Sequence, residues 1–462
     1  MRTPIYDFVT EYARKANATH NRLHMPGHKG KGLLGVEQFD ITEIDGADSL
    51  YEAKGIIDSS EINASEVFRC PTYYSTEGSS QCIRAMLYMI CSGRRTKYRK
   101  PRILAGRNAH KTFVTAAAML DCDVEWLCPQ NGESYLSCTV NPKELDIILC
   151  EAEDEIFRNS GYLSSEHPCF DAVYITSPDY LGNVSDIRGI ADVCHRHRIP
   201  LLVDNAHGAY LKFLPESLHP IDLGADICCD SAHKTLPVLT CGAYLHLAPH
   251  KKHCGSVDPK EALALFGSTS PSYLILASLD LANPQLESCS AHLKNLAEEI
   301  EKAKDLFRSQ GFTIIGNEPL KITVSPNPKG MTGYEFADHC KERGFICEYA
   351  DANYTVFMFS INNNTSDPMK FADSVCMVSQ KPPLNFTAPE FHLPKKFMKL
   401  RTALFSSQIT LPIDKCEGKI LAVPTVGCPP AVPIAVCGEK IDKQTIERFI
   451  YYGIRNCTVV DR

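Results

Sequence analysis

Two short polar motifs, each directly after an apolar run, contain the residue types from which a reaction can be built. The first, Asp-Asn-Ala-His, begins at Asp204 and follows an apolar run that ends at Val203. The second, Ser-Ala-His-Lys-Thr, contains Lys234 and follows the largely apolar residues 225–229. Short apolar runs of this kind are typical of buried strands, so we predict that each strand presents one functional group at its end.

A carboxylate and a lysine at the ends of neighbouring strands are the two groups that a pyridoxal phosphate (PLP) enzyme needs. The lysine binds the aldehyde as a Schiff base, and the carboxylate keeps the pyridine nitrogen protonated so that the ring can accept electrons. An Asp or a Lys at a strand end is, by itself, more often structural. Taken together, Asp204 and Lys234 favour a PLP site.

Composition argues against several other classes of protein. The chain has 462 residues, is 44% hydrophobic and carries a net charge of −7, which is unfavourable for a nucleic-acid partner. No apolar run reaches the roughly 18 to 20 residues of a membrane span. The 21 cysteines are scattered, none forms a Cys-x-x-Cys pair, and the N-terminus has no signal-peptide pattern. We therefore predict a cytoplasmic protein with reduced thiols and no metal site.

Short apolar runs alternate with helical patterns from about residue 66 to 275, which is typical of βαβ units and a mostly parallel sheet. The strands are predicted at 102–105, 124–127, 172–176, 200–204, 225–229 and 242–247. A helix is also predicted to begin after Asp186, because Ile187, Ile190, Val193 and Cys194 follow at helical spacing.

A long helical pattern over 284–309 leads to a smaller α+β region. Its strands are predicted near 312–315, 320–324, 345–349 and 354–359, with helices near 333–343 and 368–378. The predicted fold is therefore α/β with three parts: an N-terminal segment over 1–65, a large PLP-binding domain over 66–280 and a smaller C-terminal α+β domain over 281–462.

Two further motifs could contact the phosphate and the ring of the cofactor. Gly78-Ser79-Ser80 precedes an apolar helical pattern. Hydroxyls and unpaired N–H groups at a helix N-terminus can bind an anion, although a plain helix N-cap is the commoner use of such a sequence. His110 follows the predicted strand that ends at Ala105 and could stack on a ring, although a lone histidine is more often structural.

An ordered set of motifs over nearly the whole chain connects the sequence with one family. The motifs are His24–Lys29, Asp40–Glu43, Arg107–Lys111, Val203–Ala209, His233–Pro237, Thr269–Leu274, Ala277–Asp280 and Gly427–Ile434. In this order they resemble the signatures of the bacterial-type ornithine/lysine/arginine decarboxylases, which are fold-type-I PLP enzymes. The chain resembles the short form of this family, without the receiver-like N-terminal domain of its long members.

The resemblance implies a role for each matching residue. Lys234 would bind the aldehyde of PLP, and Asp204 would bind its pyridine nitrogen. His110 would stack on one face of the ring while Ala206 packs against the other, and His207 would lie beside the cofactor. The residues expected to bind the phosphate are Gly78, Ser79, Ser80, Ser231 and His233.

The resemblance also implies an assembly and a reaction. The active site of this family lies at a subunit interface, where the segment at Ser268 and Thr269 would reach the phosphate of the neighbouring subunit. A homodimer or a higher homo-oligomer is therefore expected. The reaction would be the decarboxylation of arginine, lysine or ornithine to the amine and carbon dioxide, as in polyamine metabolism.

Three residues depart from the family pattern. Glu77 occupies a position where the family commonly has asparagine, and a carboxylate near a phosphate is repulsive unless it points away. Cys428 and Ala431 replace a tyrosine and a glycine of the C-terminal motif. Two alternatives stay open: another fold-type-I PLP enzyme, such as an aminotransferase or an aldolase, and a non-catalytic PLP-binding regulator.

Overall fold

The computed structural model describes residues 1–19, 21–92, 99–130, 132, 134–160, 168–249, 256–384, 388–424 and 430–461. The chain forms two compact units, each assembled from separate stretches. Unit 1 comprises Met1–Ser92, Leu202–Leu293 and Ser360–Asn362, and unit 2 comprises Gly93–Leu201, Lys294–Phe359 and Asn363–Arg462. The domain bounds predicted from the sequence stay a prediction. Residues 427–429 of the C-terminal motif, including Cys428, lie outside the described residues.

Strands alternate with helices along the first half of the chain. In chain order the strands are β1 (Thr72–Ser75), β2 (Arg102–Gly106), β3 (Asp123–Leu127), β4 (Ala172–Thr176), β5 (Leu201–Asp204), β6 (Ile227–Asp230), β7 (Ala243–Leu247), β8 (Thr313–Ile315), β9 (Lys321–Ser325), β10 (Tyr349–Ala350), β11 (Thr355–Met358), β12 (Gln408–Pro412) and β13 (Asn456–Val460). The helices are α1 (Pro4–Thr19), α2 (Ile56–Phe68), α3 (Ser79–Cys91), α4 (Lys111–Met119), α5 (Pro142–Ser160), α6 (Ile187–Arg196), α7 (Ala232–Thr235), α8 (Pro259–Ala264), α9 (Tyr273–Leu286), α10 (Ser290–Ser309), α11 (Gly333–Glu342), α12 (Asp367–Val375), α13 (Leu400–Leu404) and α14 (Lys443–Tyr451). Short 3-10 helices lie at Leu50–Glu52, Ala209–Phe213, Pro220–Leu223, Asn327–Lys329 and Ile413–Lys415.

Unit 1 is built around strands β1, β7, β6 and β5, which lie side by side in this order. β5 is parallel to β6, with Leu202 opposite Ile227 and Asp204 opposite Cys229. β7 is antiparallel to both β6 and β1. Every residue of β5, β6 and β7 is buried, which explains why these strands are largely continuous apolar runs instead of alternating patterns.

Unit 2 contains three groups of strands. β2 lies between β4 and β3 and is parallel to both. β10, β11, β9 and β8 form an antiparallel sheet in this order, and β12 pairs with β13. Buried side chains that include Leu136, Val356, Leu421 and Phe449 form a hydrophobic cluster within this unit. Burial of these apolar surfaces stabilises the unit.

The predicted α/β fold class is confirmed, because β1 to β7 alternate with helices and are mostly parallel. The six strands predicted for the large domain match β2 to β7 to within two residues at each end. The predicted start of α6 is also confirmed. Asp186 is its N-cap, and the carboxylate accepts a 2.9 Å hydrogen bond from the backbone N–H of Gly189.

Two predicted elements are wrong. The helix predicted over 284–309 is two helices, because α9 ends at Leu286 and α10 begins at Ser290. The apolar spacing revealed only α10, since α9 is apolar on most of its surface and has no distinct stripe. The strand predicted at 345–349 is reduced to β10. Ile346, an apolar residue of the predicted strand, is 83% exposed, so burial does not stabilise an extended strand there.

The described residues also bear on the membrane and thiol predictions. No helix in the described part of the chain is both long and apolar enough to cross a bilayer. The described cysteines are thiols, and most of them are buried. These side chains therefore pack as small apolar residues.

Ile103 provides a test of the β2 core. It lies on β2 with 0% exposure, so Ile103→Ala should lower the free energy of unfolding by about 2–5 kcal/mol through lost burial and a new cavity. Ile147 on α5 is 57% exposed, so Ile147→Ala should change it by less than about 0.5 kcal/mol. Urea unfolding of both variants measures the difference, and equal losses would contradict the assignment of β2 to the core.

Candidate active site

Asp204, the first of the predicted site residues to be located in unit 1, lies at the end of β5 next to β6. Asp204 ends β5 and is 2% exposed. Its Oδ1 accepts a 3.2 Å hydrogen bond from the backbone N–H of Ala206. Immediately beyond the strand, the backbone N–H of Asn205 donates to the carbonyl of Cys229 at 3.0 Å. The carboxylate is therefore held at a strand end that is fixed to the neighbouring strand.

Lys234 lies on α7, four residues beyond the end of β6 at Asp230. Its Nζ lies 3.0 Å from Nε2 of His207, which is 5% exposed. Because a Lys Nζ is only a donor, this geometry makes His207 Nε2 the acceptor and assigns the ring proton to Nδ1. The two side chains therefore form one pair that can hold or exchange a proton.

The N-terminus of α3 has the features of an anion-binding site. α3 begins at Ser79, its N-cap Gly78 has φ +75° and supplies no side-chain cap, and its first-turn N–H groups face outward along the helix axis. The hydroxyl of Ser231 donates to the hydroxyl of Ser79 at 2.8 Å. A Cβ on Gly78 would meet only the backbone nitrogen of Ser80, at 3.9 Å. The space beside Gly78 is therefore open by at least the size of a methyl group.

These residues fit the phosphate of PLP on the chemistry of their donors. Ser79 and Ser231 each offer a hydroxyl, and the N-terminus of α3 offers backbone N–H groups and the positive end of the helix dipole. Glu77 does not oppose this arrangement with a free carboxylate, because its Oε1 accepts a short hydrogen bond from the backbone N–H of Ser268. The residue that departs from the family pattern thus binds the segment that contains Ser268.

His233 has one ring nitrogen committed to the backbone. Its Nδ1 lies 3.1 Å from the carbonyl oxygen of Gly242, so Nδ1 carries a proton and donates. Burial lowers the pKa of His233, which favours the neutral ring. A hydrogen bond from His233 Nε2 to a phosphate would therefore require the ring to take up a second proton, which the negative charge of a bound phosphate favours.

His110 is the N-cap of α4 and is described within unit 2. Its Nδ1 accepts from the backbone N–H of Thr112 at 3.2 Å and lies 2.9 Å from the Thr112 hydroxyl. The ring proton is therefore on Nε2.

Ala431 of the C-terminal motif has a left-handed backbone conformation, with φ +58°. Its carbonyl accepts a hydrogen bond from the backbone N–H of Lys111. This left-handed conformation favours glycine, the residue that the family pattern has there.

Six of the predicted site residues in unit 1 form three contacting pairs. Ser79 is paired with Ser231, Lys234 with His207, and Asp204 with the backbone of Ala206. Ser268 and Thr269 are exposed, as expected of a segment that could face another subunit.

Sequence reasoning missed a set of buried polar residues behind these groups. Asp230 ends β6 and directly precedes Ser231, but the predicted strand stopped at Cys229. Asn205, His219 and His246 contact Asp230 and were not singled out. The available signal was Asp230 itself, because an acidic residue at the end of a fully apolar strand requires buried partners.

Comparison with known proteins adds an independent finding. A family model described as Orn/Lys/Arg decarboxylase, major domain, matches residues 3–323. A protein named arginine decarboxylase from Bacillus subtilis (strain 168) is 26% identical, with 96% of this chain and 92% of that protein covered. An arginine decarboxylase from Halalkalibacterium halodurans is 25% identical, with 96% and 92% covered. The crystal structure of a lysine decarboxylase from Francisella novicida is 18% identical, has a TM-score of 0.76, and covers 99% of this chain and 81% of that one. The last comparison shows the same fold.

The two hydroxyls at the N-terminus of α3 give a direct test of the anion site. Ser79→Ala and Ser231→Ala should each weaken PLP binding by about 10- to 100-fold, because each removes a hydrogen bond to a charged group. Because the two hydroxyls contact each other, the double variant should lose less than the product of the single losses.

Fluorescence titration of the apoprotein with PLP measures these affinities. Ser59→Ala is the matched control, since Ser59 is an exposed residue of α2 whose hydroxyl donates to Gly55. Unchanged PLP affinity in both Ser79→Ala and Ser231→Ala would show that the phosphate binds elsewhere.

Proposed function

The chain belongs to the Orn/Lys/Arg decarboxylase family, and we propose that it is a PLP-dependent decarboxylase of basic amino acids that acts first on arginine. The observation that supports this function best is the pairing of Lys234 with His207 in the same unit as the buried Asp204 and the Ser79–Ser231 anion site. An aminotransferase or an aldolase would use a similar Asp and Lys, but the family match over residues 3–323 does not favour either.

We propose that the predicted site residues divide the binding of the cofactor between them. Lys234 Nζ binds covalently to the aldehyde carbon, and the Asp204 carboxylate binds the protonated ring nitrogen. Ser79 and Ser231, with Gly78, Ser80 and His233 beside them, bind the phosphate. From the family resemblance, His110 and Ala206 contact the two faces of the ring. When bound, PLP supplies the electron-accepting ring that stabilises the charge left on Cα after carbon dioxide departs.

The chain's own side chains complete the reaction around that electron-accepting ring. Asp204 is buried, so its charge acts in a medium of low dielectric constant and holds the ring nitrogen in its protonated state. Lys234 would hold the cofactor, and its Nζ lies beside His207. We propose that this pair returns the proton to Cα, with Lys234 Nζ as the donor and His207 Nε2 as the group that holds the next proton.

Arginine is the first candidate substrate because the full-length relatives named above are arginine decarboxylases at 25–26% identity. The lysine decarboxylase that shares the fold is only 18% identical, so its name carries less weight for the substrate. Agmatine, the amine from arginine, would place the enzyme in polyamine metabolism.

We propose a cytoplasmic homodimer or a higher homo-oligomer as the working form. The cytoplasm is supported by the thiols of the described cysteines, most of which are buried and which suit a reducing compartment. Assembly is supported by the exposure of Ser268 and Thr269, the segment that the family resemblance directs to the neighbouring subunit.

Removal of the lysine tests its place in the reaction. Lys234→Ala should lower carbon dioxide release from arginine by roughly 1,000-fold or more, because the covalent link and the proton donor are both lost. Lys302→Ala is the matched control, since Lys302 is an exposed residue of α10 paired only with Glu299 in the described structure. An enzyme that keeps most of its activity without Lys234 would contradict the proposed role.

Substrate choice is tested with purified protein, PLP and each basic amino acid in turn. Arginine should give a kcat/KM at least about tenfold above those of lysine and ornithine, with agmatine identified by mass. A higher kcat/KM for lysine or ornithine would contradict the arginine proposal. Formation of a keto acid in place of carbon dioxide from all three would contradict decarboxylation itself.

A further inference from the structure

A group of polar side chains with no exposed surface lies behind the strand ends of unit 1. Asp230, Asn205, His219 and His246 are each 0% exposed. Asp230 directly precedes Ser231 of the anion site, and Asn205 directly follows Asp204. Burial of a carboxylate is costly unless donors compensate for the lost water, so the contacts of Asp230 determine what this group does.

Both oxygens of Asp230 are occupied. Oδ1 accepts a 2.6 Å hydrogen bond from Nδ2 of Asn205. Oδ2 lies 3.2 Å from Nε2 of His219 and 3.2 Å from Nε2 of His246. One oxygen is therefore anchored by two imidazoles while the other binds the residue next to Asp204.

The hydrogen bonds assign a positive charge to His246. The hydroxyl of Thr72 donates its single proton to the carbonyl of Cys70 at 3.0 Å, so it accepts from Nδ1 of His246 at 2.9 Å. Nε2 of His246 faces a carboxylate oxygen and also donates. A histidine that donates from both nitrogens is an imidazolium. In agreement, although burial alone would lower the pKa of His246, the carboxylate of Asp230 raises it.

His219 makes fewer hydrogen bonds than His246. Its Nε2 donates to Asp230, whereas Nδ1 has no hydrogen-bond partner among the described residues. Although burial alone would raise the pKa of Asp230, the two histidines hold it well below its ordinary value.

We propose that Asp230 is a positioning residue that fixes Asp204 relative to Ser231 and Lys234 by binding Asn205 through one oxygen. The ladder between β5 and β6 ends at the pair Asp204 and Cys229. The Asn205–Asp230 hydrogen bond continues the connection one residue further, to the residue before Ser231. Asp230 touches neither cofactor nor substrate in this account. The inference rests on the proposed function, because it concerns the alignment of the same site.

A bound metal ion is the alternative use of these side chains. Cys228 Sγ lies 3.8 Å from His219 Nε2, and histidine, cysteine and aspartate are metal ligands. The assigned protons oppose it, because a metal would have to replace the proton on Nε2 of each histidine that it binds. Stoichiometric zinc or another transition metal in the purified holoenzyme would overturn the hydrogen-bonded account, and its absence from metal analysis is the expected result.

Asn205→Ala is the primary test, since it removes the link and leaves Asp230 with both histidines. We expect kcat to fall by roughly 10- to 100-fold while the KM for arginine changes by less than about twofold, because alignment is lost and substrate contacts are kept. The pH midpoint of the visible absorbance of PLP bound to Lys234 should also shift by more than about 0.5 unit, because the charge of Asp204 then acts from a changed position.

Asp230→Ala removes the same link from the other side, and kcat of the double variant should be no lower than that of the less active single variant. If Asp230→Ala does not fold, Asn205→Ala decides the question alone. Asp280→Asn is the matched control, since Asp280 is also a 0% exposed carboxylate of unit 1 and binds Ile5, Tyr6 and Ser60. The Asp280→Asn variant should be less thermally stable than the wild type but should keep the wild-type pH midpoint of the PLP absorbance.

The proposal is overturned if Asn205→Ala keeps the wild-type kcat and absorbance midpoint, or if it changes them no more than Asp280→Asn does. The absorbance and the PLP affinity do not depend on turnover. They therefore still test the positioning of Asp204 if the wild-type enzyme binds PLP but releases no carbon dioxide, a result that would defeat only the proposed function.

Discussion

The parallel pairing of β5 with β6 is the constraint on which the site depends. It places Asp204 opposite Cys229, so that the chain leaves both strands at the same edge of unit 1. The residues that follow β6 then carry Ser231 to the hydroxyl of Ser79 and Lys234 to the ring of His207. A slip of one residue in this register would turn the side chain of Asp204 to the other face of the sheet.

Charge is managed differently in the two carboxylates near this edge. Asp230 is neutralised within the protein by the imidazolium of His246, whereas the partner that we propose for Asp204, at the end of β5, is the ring nitrogen of the cofactor. Glu77 is a third acidic group, and the backbone N–H of Ser268 binds its carboxylate. Each of these three acidic groups therefore has a donor or a proposed donor of its own.

Much of this site could be predicted from the sequence, because β5 and β6 are buried on both faces and thus stand out as apolar runs followed by single polar groups. The Ser79–Ser231 contact could not be derived, since it depends on which strands become neighbours. For the same reason His219 and His246 gave no signal: one precedes a 3-10 helix and the other lies in the antiparallel strand β7. Apolar spacing also gave wrong secondary-structure predictions in two places. Near 345–349 the apolar residue Ile346 is exposed, and in α9 apolar residues cover most of the helix surface.

The central claim is that Lys234 and Asp204 hold one PLP molecule between them. A crystal structure of the protein prepared with PLP tests it most directly. We expect continuous electron density between Lys234 Nζ and the cofactor, and a carboxylate oxygen of Asp204 within about 3 Å of the ring nitrogen. Density for PLP bound to another lysine, or a ring nitrogen beyond the reach of Asp204, would contradict the account.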